Sequence, residues 1–189
     1  MTFPTNEEAI RQLRAGDSVT VDGHVVGIRD RTQIRMFDEG RRPAMDLRGA
    51  LLLHTAPGVR RLADGSYEKV SIGTTTSARM VRFTEPLGRD YGVRAICGKG
   101  GLPEEAIEPL RRYGMVYFAI VGGAAALETA QIEAIEEVEW EDLMPECLWK
   151  FRVRGFGPLT VAIDSHGTSL YEDVQAEARK RLGELYERL

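Results

Sequence analysis

The stretch Val93-Arg94-Ala95-Ile96-Cys97-Gly98-Lys99-Gly100-Gly101-Leu102-Pro103-Glu104 decides the fold. Its apolar run from Val93 to Cys97 predicts a buried strand, and the glycines that follow end that strand in a turn. Pro103 then takes a first-turn position in a helix predicted over Glu104 to Tyr113, where its missing N–H costs nothing. The pattern repeats at once: Met115 to Val121 reads as a strand closed by Gly122-Gly123, and Ala124 to Ile135 as a helix. Strands alternating with helices indicate an α/β fold.

Working outward, Leu47 to His54 holds another short apolar run, Ala50 to Leu53, of strand length. Ser18 to Val21 and Val25 to Ile28 flank Asp22-Gly23 and predict a hairpin. Thr5-Asn6-Glu7-Glu8 predicts a helix capped by Thr5 and ending before Gly16. Arg29 to Glu39 reads as a polar helix, and Gly58 to Tyr67 as a loop. The segment Val70-Ser71-Ile72-Gly73-Thr74-Thr75-Thr76-Ser77-Ala78-Arg79-Met80 reads as a hydroxyl-rich turn opening a helix that runs to about Thr84. Leu148 to Val153 and Leu159 to Ile163 predict two more strands, and Tyr171 to Leu189 a charged amphipathic helix. Hairpins at both ends predict a mixed sheet. No repeat or Pro/Gly/Ser-rich linker divides the chain, so one domain is expected over residues 1–189.

The 189 residues are 43% hydrophobic and 29% charged, enough for a core and a wet surface. A net charge of −4 argues against a nucleic-acid surface, while leaving room for a local basic pocket that takes a small anion. Cys97 and Cys147 are too few for a disulfide framework and lack metal-site spacing. Met1 to Glu8 has no signal-peptide pattern and no run approaches a membrane span, so a cytoplasmic protein without membrane contact is expected.

Three segments hold side chains suited to chemistry. Thr74-Thr75-Thr76-Ser77 at a predicted helix start, with Arg79 one turn on, suits a carboxylate or phosphate; it equally suits plain capping with Arg79 in solvent. Lys99 stands between glycines at a strand end, where α/β sheets bind ligands, or is a solvated turn lysine. Gly92 to Gly100 is not a phosphate loop, because five residues separate Gly92 from Gly98 and Gly100 stands where Ser or Thr is needed. Arg29 follows the first predicted hairpin, within reach of a second carboxylate or on a wet helix face. His54 reads as a structural strand-end histidine, Cys97 as a small apolar filler, and Gly122-Gly123-Ala124-Ala125-Ala126 as a stretch that lets a helix pack closely on the sheet.

Taken in order, these segments resemble the class I fumarase C-terminal region and the tartrate dehydratase β-subunit family. The resemblance rests on Gly27-Ile28-Arg29-Asp30, Leu53-His54-Thr55-Ala56-Pro57, Val70 through Met80, Gly98-Lys99-Gly100-Gly101, and Gly122-Gly123. It continues through Met144-Pro145-Glu146, Phe156-Gly157-Pro158-Leu159 and Ile163-Asp164 with His166-Gly167, so that it spans roughly residues 15 to 168. It implies a swivelling β/β/α domain, with a mixed sheet flanked by helices. It also implies a β subunit working with an iron–sulfur α subunit in a heterotetramer with two of each. That partner would carry a [4Fe–4S] cluster as Lewis acid, and none of its ligands would come from this chain. The reaction implied is reversible hydration or dehydration of a four-carbon hydroxy-dicarboxylic acid. Carried over by position, Arg29, Thr74, Thr75, Arg79 and Lys99 bind the substrate, and Thr75, Lys99 and Arg79 are catalytic, with the Thr75 hydroxyl near the proton that moves. Gln33 stands where the family usually has histidine, so a possible acid/base position is altered. An assembly module of the same fold that has lost activity is the alternative.

Overall fold

Four short strands lie parallel because a crossover joins each to the next. In the computed structural model, which describes residues 1–186, these are β2 (Ser18–Ile28), β3 (Leu51–His54), β6 (Ala95–Gly98) and β7 (Val116–Ala119). The crossovers carry α2 (Asp30–Phe37), α3 (Thr84–Tyr91) and α4 (Ile107–Tyr113), with 3₁₀ turns at Ala78–Phe83 and Glu104–Ala106. The 16-residue strand β9 (Leu148–Ile163) returns antiparallel and pairs with β7 on one side and with β2 on the other. Thr160 sits opposite both Ala119 and Ser18, so β2, β3, β6, β7 and β9 form a closed ring. Short β1 (Thr2–Phe3) adds to β2, and β8 (Ile132–Glu139) adds to β9. A separate hairpin joins β4 (Gly58–Arg61) to β5 (Tyr67–Ser71), while α1 (Glu7–Arg11), α5 (Ala125–Gln131) and α6 (Leu170–Tyr186) complete the chain.

Closure explains why the strands read as continuous apolar runs. Side chains alternate across each strand, and here both faces are covered. Val25, Leu51, Leu53, Ala95, Cys97, Phe118 and Phe151 belong to one core cluster. Val26, Ile28, Leu52, Ile96 and Tyr117 belong to the other, packed with Met36, Met80, Phe83, Leu87 and Leu110 from the crossovers.

The mixed α/β sheet flanked by helices is as the sequence predicts, but its antiparallel part comes from β9 and not from terminal hairpins. Asp22-Gly23 is no turn: β2 runs straight through it. Gly23 has φ +96°, and a Cβ there would lie 2.2 Å from the Phe3 carbonyl oxygen. The register against β9 shifts between Val21 and Gly23, so the dipeptide marks a bulge where β1 joins. The two strands predicted after Leu148 are likewise one, with Gly155 (φ +58°) and Gly157 (φ +131°) inside it.

Four smaller expectations also change. Asn6 caps α1, accepting from the Ala9 amide at 2.9 Å, in place of Thr5. The predicted loop over Gly58 to Tyr67 is the β4–β5 hairpin. The helix predicted to Ile135 stops at Gln131, where β-branched Ile132 starts an edge strand. The helix predicted to end near Thr84 continues as α3 to Tyr91, because Pro86 falls in its first turn. Helix α6 agrees with expectation as far as Tyr186; residues 187–189 of that prediction lie outside the described residues.

The turn after β9 is held by Asp164, which is buried. It accepts from the amides of His166 (2.9 Å), Thr168 (3.0 Å) and Ala15 (3.1 Å). Burial works to raise its pKa, but the three amides outweigh burial and hold it below the usual carboxylate range. The carboxylate therefore contributes stability above the unfolded-state pKa of about 3.9, and loses it as pH falls through the lower folded value. Asp164→Asn should cost about 2 kcal/mol at pH 7 in urea unfolding, since the new amide faces a donor. The gap between the two proteins should narrow near pH 3.

Candidate functional site

Parallel strands end at one edge of the sheet, and loops leaving that edge meet there. Strand β2 hands on to Arg29, β3 to Thr55 and β6 to Lys99. The Thr74 to Ser77 run is laced between the last two. The Thr75 amide donates to the His54 carbonyl at 2.7 Å, the Lys99 amide to the Thr75 carbonyl at 3.2 Å, and the Ser77 amide to the Lys99 carbonyl at 3.0 Å. Bridges Thr55 to Thr74 and Thr76 to Lys99 complete the lacing. The run therefore does not open a helix. Its backbone is committed to neighbouring strand ends, and the 3₁₀ turn starts only at Ala78, without a side-chain cap.

Arg79 leaves that turn and reaches back to α2. Its Nε donates to Asp30 at 2.8 and 3.0 Å, and its Nη2 to Asp30 at 2.9 Å and to the Thr75 hydroxyl at 3.3 Å. Arg29 stands at the N-cap of α2, with its Nε 3.4 Å from Asp30 and 3.5 Å from Glu146 and buried without a hydrogen-bond partner. Glu146 accepts from the Arg31 amide at 2.9 Å, so it caps the helix that Arg29 cannot. Lys99 is half-buried, with its chain against Gly122, where a Cβ would lie 3.2 Å from its Cδ. Arg29, Thr75, Arg79 and Lys99 thus belong to one connected set of strand-end loops. Thr74 belongs to it too, but its hydroxyl is directed at backbone, donating to the His54 carbonyl at 3.3 Å.

The charges are partly balanced within the chain. Burial works to raise the Asp30 pKa, but the Arg79 hydrogen bonds and charge, with Arg29 beside them, carry it below the usual carboxylate range. Asp30 in turn raises the Arg79 pKa. Gln33 is fully buried; its amide donates to the Met80 sulfur at 3.0 Å, and its carbonyl oxygen has no partner.

His54 is a buried, hydrogen-bonded histidine at the end of β3. Its Nδ1 lies 2.9 Å from the Ser77 hydroxyl, which also accepts from the Tyr117 hydroxyl at 3.0 Å. Burial pushes Tyr117 well up, so that hydroxyl keeps its proton. Ser77 then donates to Nδ1, and the imidazole proton sits on Nε2, which is buried with no partner. Burial takes the His54 pKa down to about 3, with Asp30 and Arg79 acting on it in opposite directions. It is a neutral donor and not a base at neutral pH. Gly98 completes the arrangement, because a Cβ there would fall 1.9 Å from the Ser77 oxygen. Within the Gly122 to Ala126 stretch it is Ala125 that makes the close packing contact, since a Cβ on Gly73 would lie 2.7 Å from it.

Sequence reasoning did not single out Asp30, Glu146 or Tyr117 for this site. Ser77 stood in the hydroxyl run as a candidate anion ligand, whereas Tyr117 lies within an apolar strand and carried no local signal. Cys97 and Cys147 are too few to supply the thiolates of an iron–sulfur cluster by themselves; both are buried, and burial pushes the Cys97 thiol up and the Cys147 thiol to about 11. Among the described residues, no three His, Cys, Asp or Glu side chains gather to hold a metal, and no helix is long and apolar enough to cross a membrane.

The family model described as fumarase C-terminus matches residues 1–174. The L(+)-tartrate dehydratase subunit beta of Escherichia coli is 38% identical over 171 residues, covering 90% of this chain and 85% of its own length. A Methanocaldococcus jannaschii protein provisionally given the same name is 36% identical over 181 residues, covering 93% and 92%. A Geobacillus stearothermophilus protein provisionally named fumarate hydratase class I is 34% identical over 97% of this chain, which spans 35% of that longer relative.

Ser77→Ala should leave the Tyr117 hydroxyl and His54 Nδ1 buried without partners, lowering stability in urea unfolding by about 2 to 4 kcal/mol. Tyr117→Phe removes only a donor and should cost about 1 kcal/mol.

Proposed function

The chain belongs to the fumarase C-terminus family, and from that membership and the strand-end geometry we propose that it is the β subunit of a two-subunit hydro-lyase. Its substrate is a four-carbon hydroxy-dicarboxylic acid of the tartrate or malate/fumarate type. The observation that carries the reading is the meeting of Arg29, Thr75, Arg79 and Lys99 from separate loops at one sheet edge. Arg29 offers an Nε–H with no hydrogen-bond partner, and Lys99 offers an ammonium; both suit carboxylates. Arg79, oriented by Asp30, binds the same substrate and donates to the Thr75 hydroxyl. The Arg79 and Lys99 charges favour loss of the Thr75 proton, so that Thr75 Oγ1 takes or returns the proton at the substrate carbon.

The [4Fe–4S] cluster belongs to an α subunit, which pairs with this chain in a heterotetramer with two of each. The chain's two buried thiols support placing it there. Exposed apolar side chains on elements beside the site, Val70, Val121 and Leu127, suit burial under that partner. Gln33 supports the rival reading of an inactive assembly module, because a sealed amide shuttles no protons.

Co-expression with an iron–sulfur α-type chain, followed by anaerobic assay on tartrate and malate, tests the proposal. Thr75→Ala should lower kcat at least about 100-fold with little change in KM. Arg29→Gln should chiefly raise KM, by about tenfold or more. A complex with an intact cluster that converts no four- to six-carbon acid would favour the inactive module. Turnover by this chain alone without iron would overturn the two-subunit reading.

A further inference from the structure

Helix α6 is seated on the domain only by its first turn. Tyr171 is half-buried there against Gly101, where a Cβ would lie 2.9 Å from its ring. From Asp173 to Tyr186 every residue is exposed. Residues 175–186 also lie beyond the matched family region, so their role has to be read from their own pattern. A lone helix of this length is marginal in water, because most helices in proteins are held by packing of an apolar face. Its internal contacts are slight: Arg179 donates to Gln175 at 3.3 Å and Arg181 to Glu177 at 2.8 Å. Gly183 weakens it further.

The pattern is symmetric about Ala178. Tyr171, Val174, Ala178, Leu182 and Leu185 are spaced three, four, four and three residues apart, which places them on one stripe. Past Tyr171 the stripe is bare: Val174 is 69%, Leu182 51% and Leu185 57% exposed. Charge divides across the same centre. Glu172, Asp173 and Glu177 precede Ala178, while Arg179, Lys180 and Arg181 follow it. Glu104 and Glu105 line a cleft with Glu172 and Gln175, which adds acid beside the acidic half.

We propose that α6 is a self-association surface, covered by the α6 of a second copy of this chain packed antiparallel across a two-fold axis at Ala178. The two Ala178 side chains meet at the centre, where their size lets the helices approach closely. Val174 of each copy meets Leu182 of the other, and each acidic half lies over the other's basic half. Glu177 and Arg181 share one flank of the stripe and pair across the axis as well as within the helix. Parallel packing would set acid against acid and base against base, so charge selects the antiparallel arrangement. This pairing stands apart from the hydro-lyase reading, and it supplies a contact between the two copies of this chain in the proposed heterotetramer.

The test uses the full chain, alone and in complex with an α-type partner. Light scattering should give the chain alone twice the mass of one copy, and Leu182→Asp should weaken the pairing at least about tenfold. Glu177→Arg and Arg181→Glu should each weaken it, since like charges then face across the axis; mixing the two variant chains should restore it, although neither regains its pair within the helix. Direction is read by cross-linking. A Val174→Cys chain mixed with a Leu182→Cys chain should form a mixed disulfide under mild oxidation. Either variant alone should form little, because antiparallel packing separates like positions by about 12 Å along the axis. The native Cys97 and Cys147 are buried and stay out of the exchange. A chain with the mass of one copy, disulfides from each variant alone in place of the mixed one, or cysteines at 174 and 182 that cross-link to the α-type chain would each overturn the inference. All three outcomes leave the hydro-lyase reading intact, and loss of turnover in a complex whose α6 helices cross-link as expected would count against that reading alone.

Discussion

Strand β9 is long enough to pair with β2 and β7 together, and the rest of the molecule depends on that double pairing. Thr160, opposite Ser18 on one side and Ala119 on the other, is where the ring shuts. A closed ring has no free edge among its five strands, so its strands carry apolar residues on both faces. It also holds the carboxyl ends of β2, β3 and β6 at one rim. The loops from those ends meet there without needing any side chain to draw them together.

At that rim the backbone does most of the placing. Thr75 is fixed by amide and carbonyl bonds to His54 and Lys99, and the bonds do not depend on its hydroxyl. The hydroxyl is therefore free to serve chemistry while its Cα stays still. The cations are held differently. Arg79 is forked onto Asp30, and Arg29 lies between Asp30 and Glu146. Each of these two guanidiniums has a carboxylate from its own chain nearby, which keeps them from repelling one another before any dianion arrives.

The buried chain from Tyr117 through Ser77 to His54 adds a rigid polar seam beneath the same loops. It crosses three elements, β7, the Thr74–Ser77 segment and β3, with one hydrogen bond at each step. Because His54 stays neutral, the seam adds no charge to the rim over the physiological pH range.

Much of this was readable from residue order. Apolar runs of strand length, glycines at their ends and the helix after Pro103 determined an α/β fold with ligand-type residues at strand ends. Arg29, Thr75, Arg79 and Lys99 stood out because their types and places suit a small anion, and the order of the surrounding motifs pointed to the family. What residue order left open depends on atoms far along the chain. Asp22-Gly23 is a bulge and not a turn because Phe3 and β9 lie against it. Arg79 is bound to an aspartate 49 residues away, and Glu128 turns inward although Leu127 beside it would be the expected core residue. Local pattern reports the conformations a segment prefers and which side chains are apolar. Which partner a charge finds, and which face a short helix buries, are settled by contacts that exist only once the ring has closed.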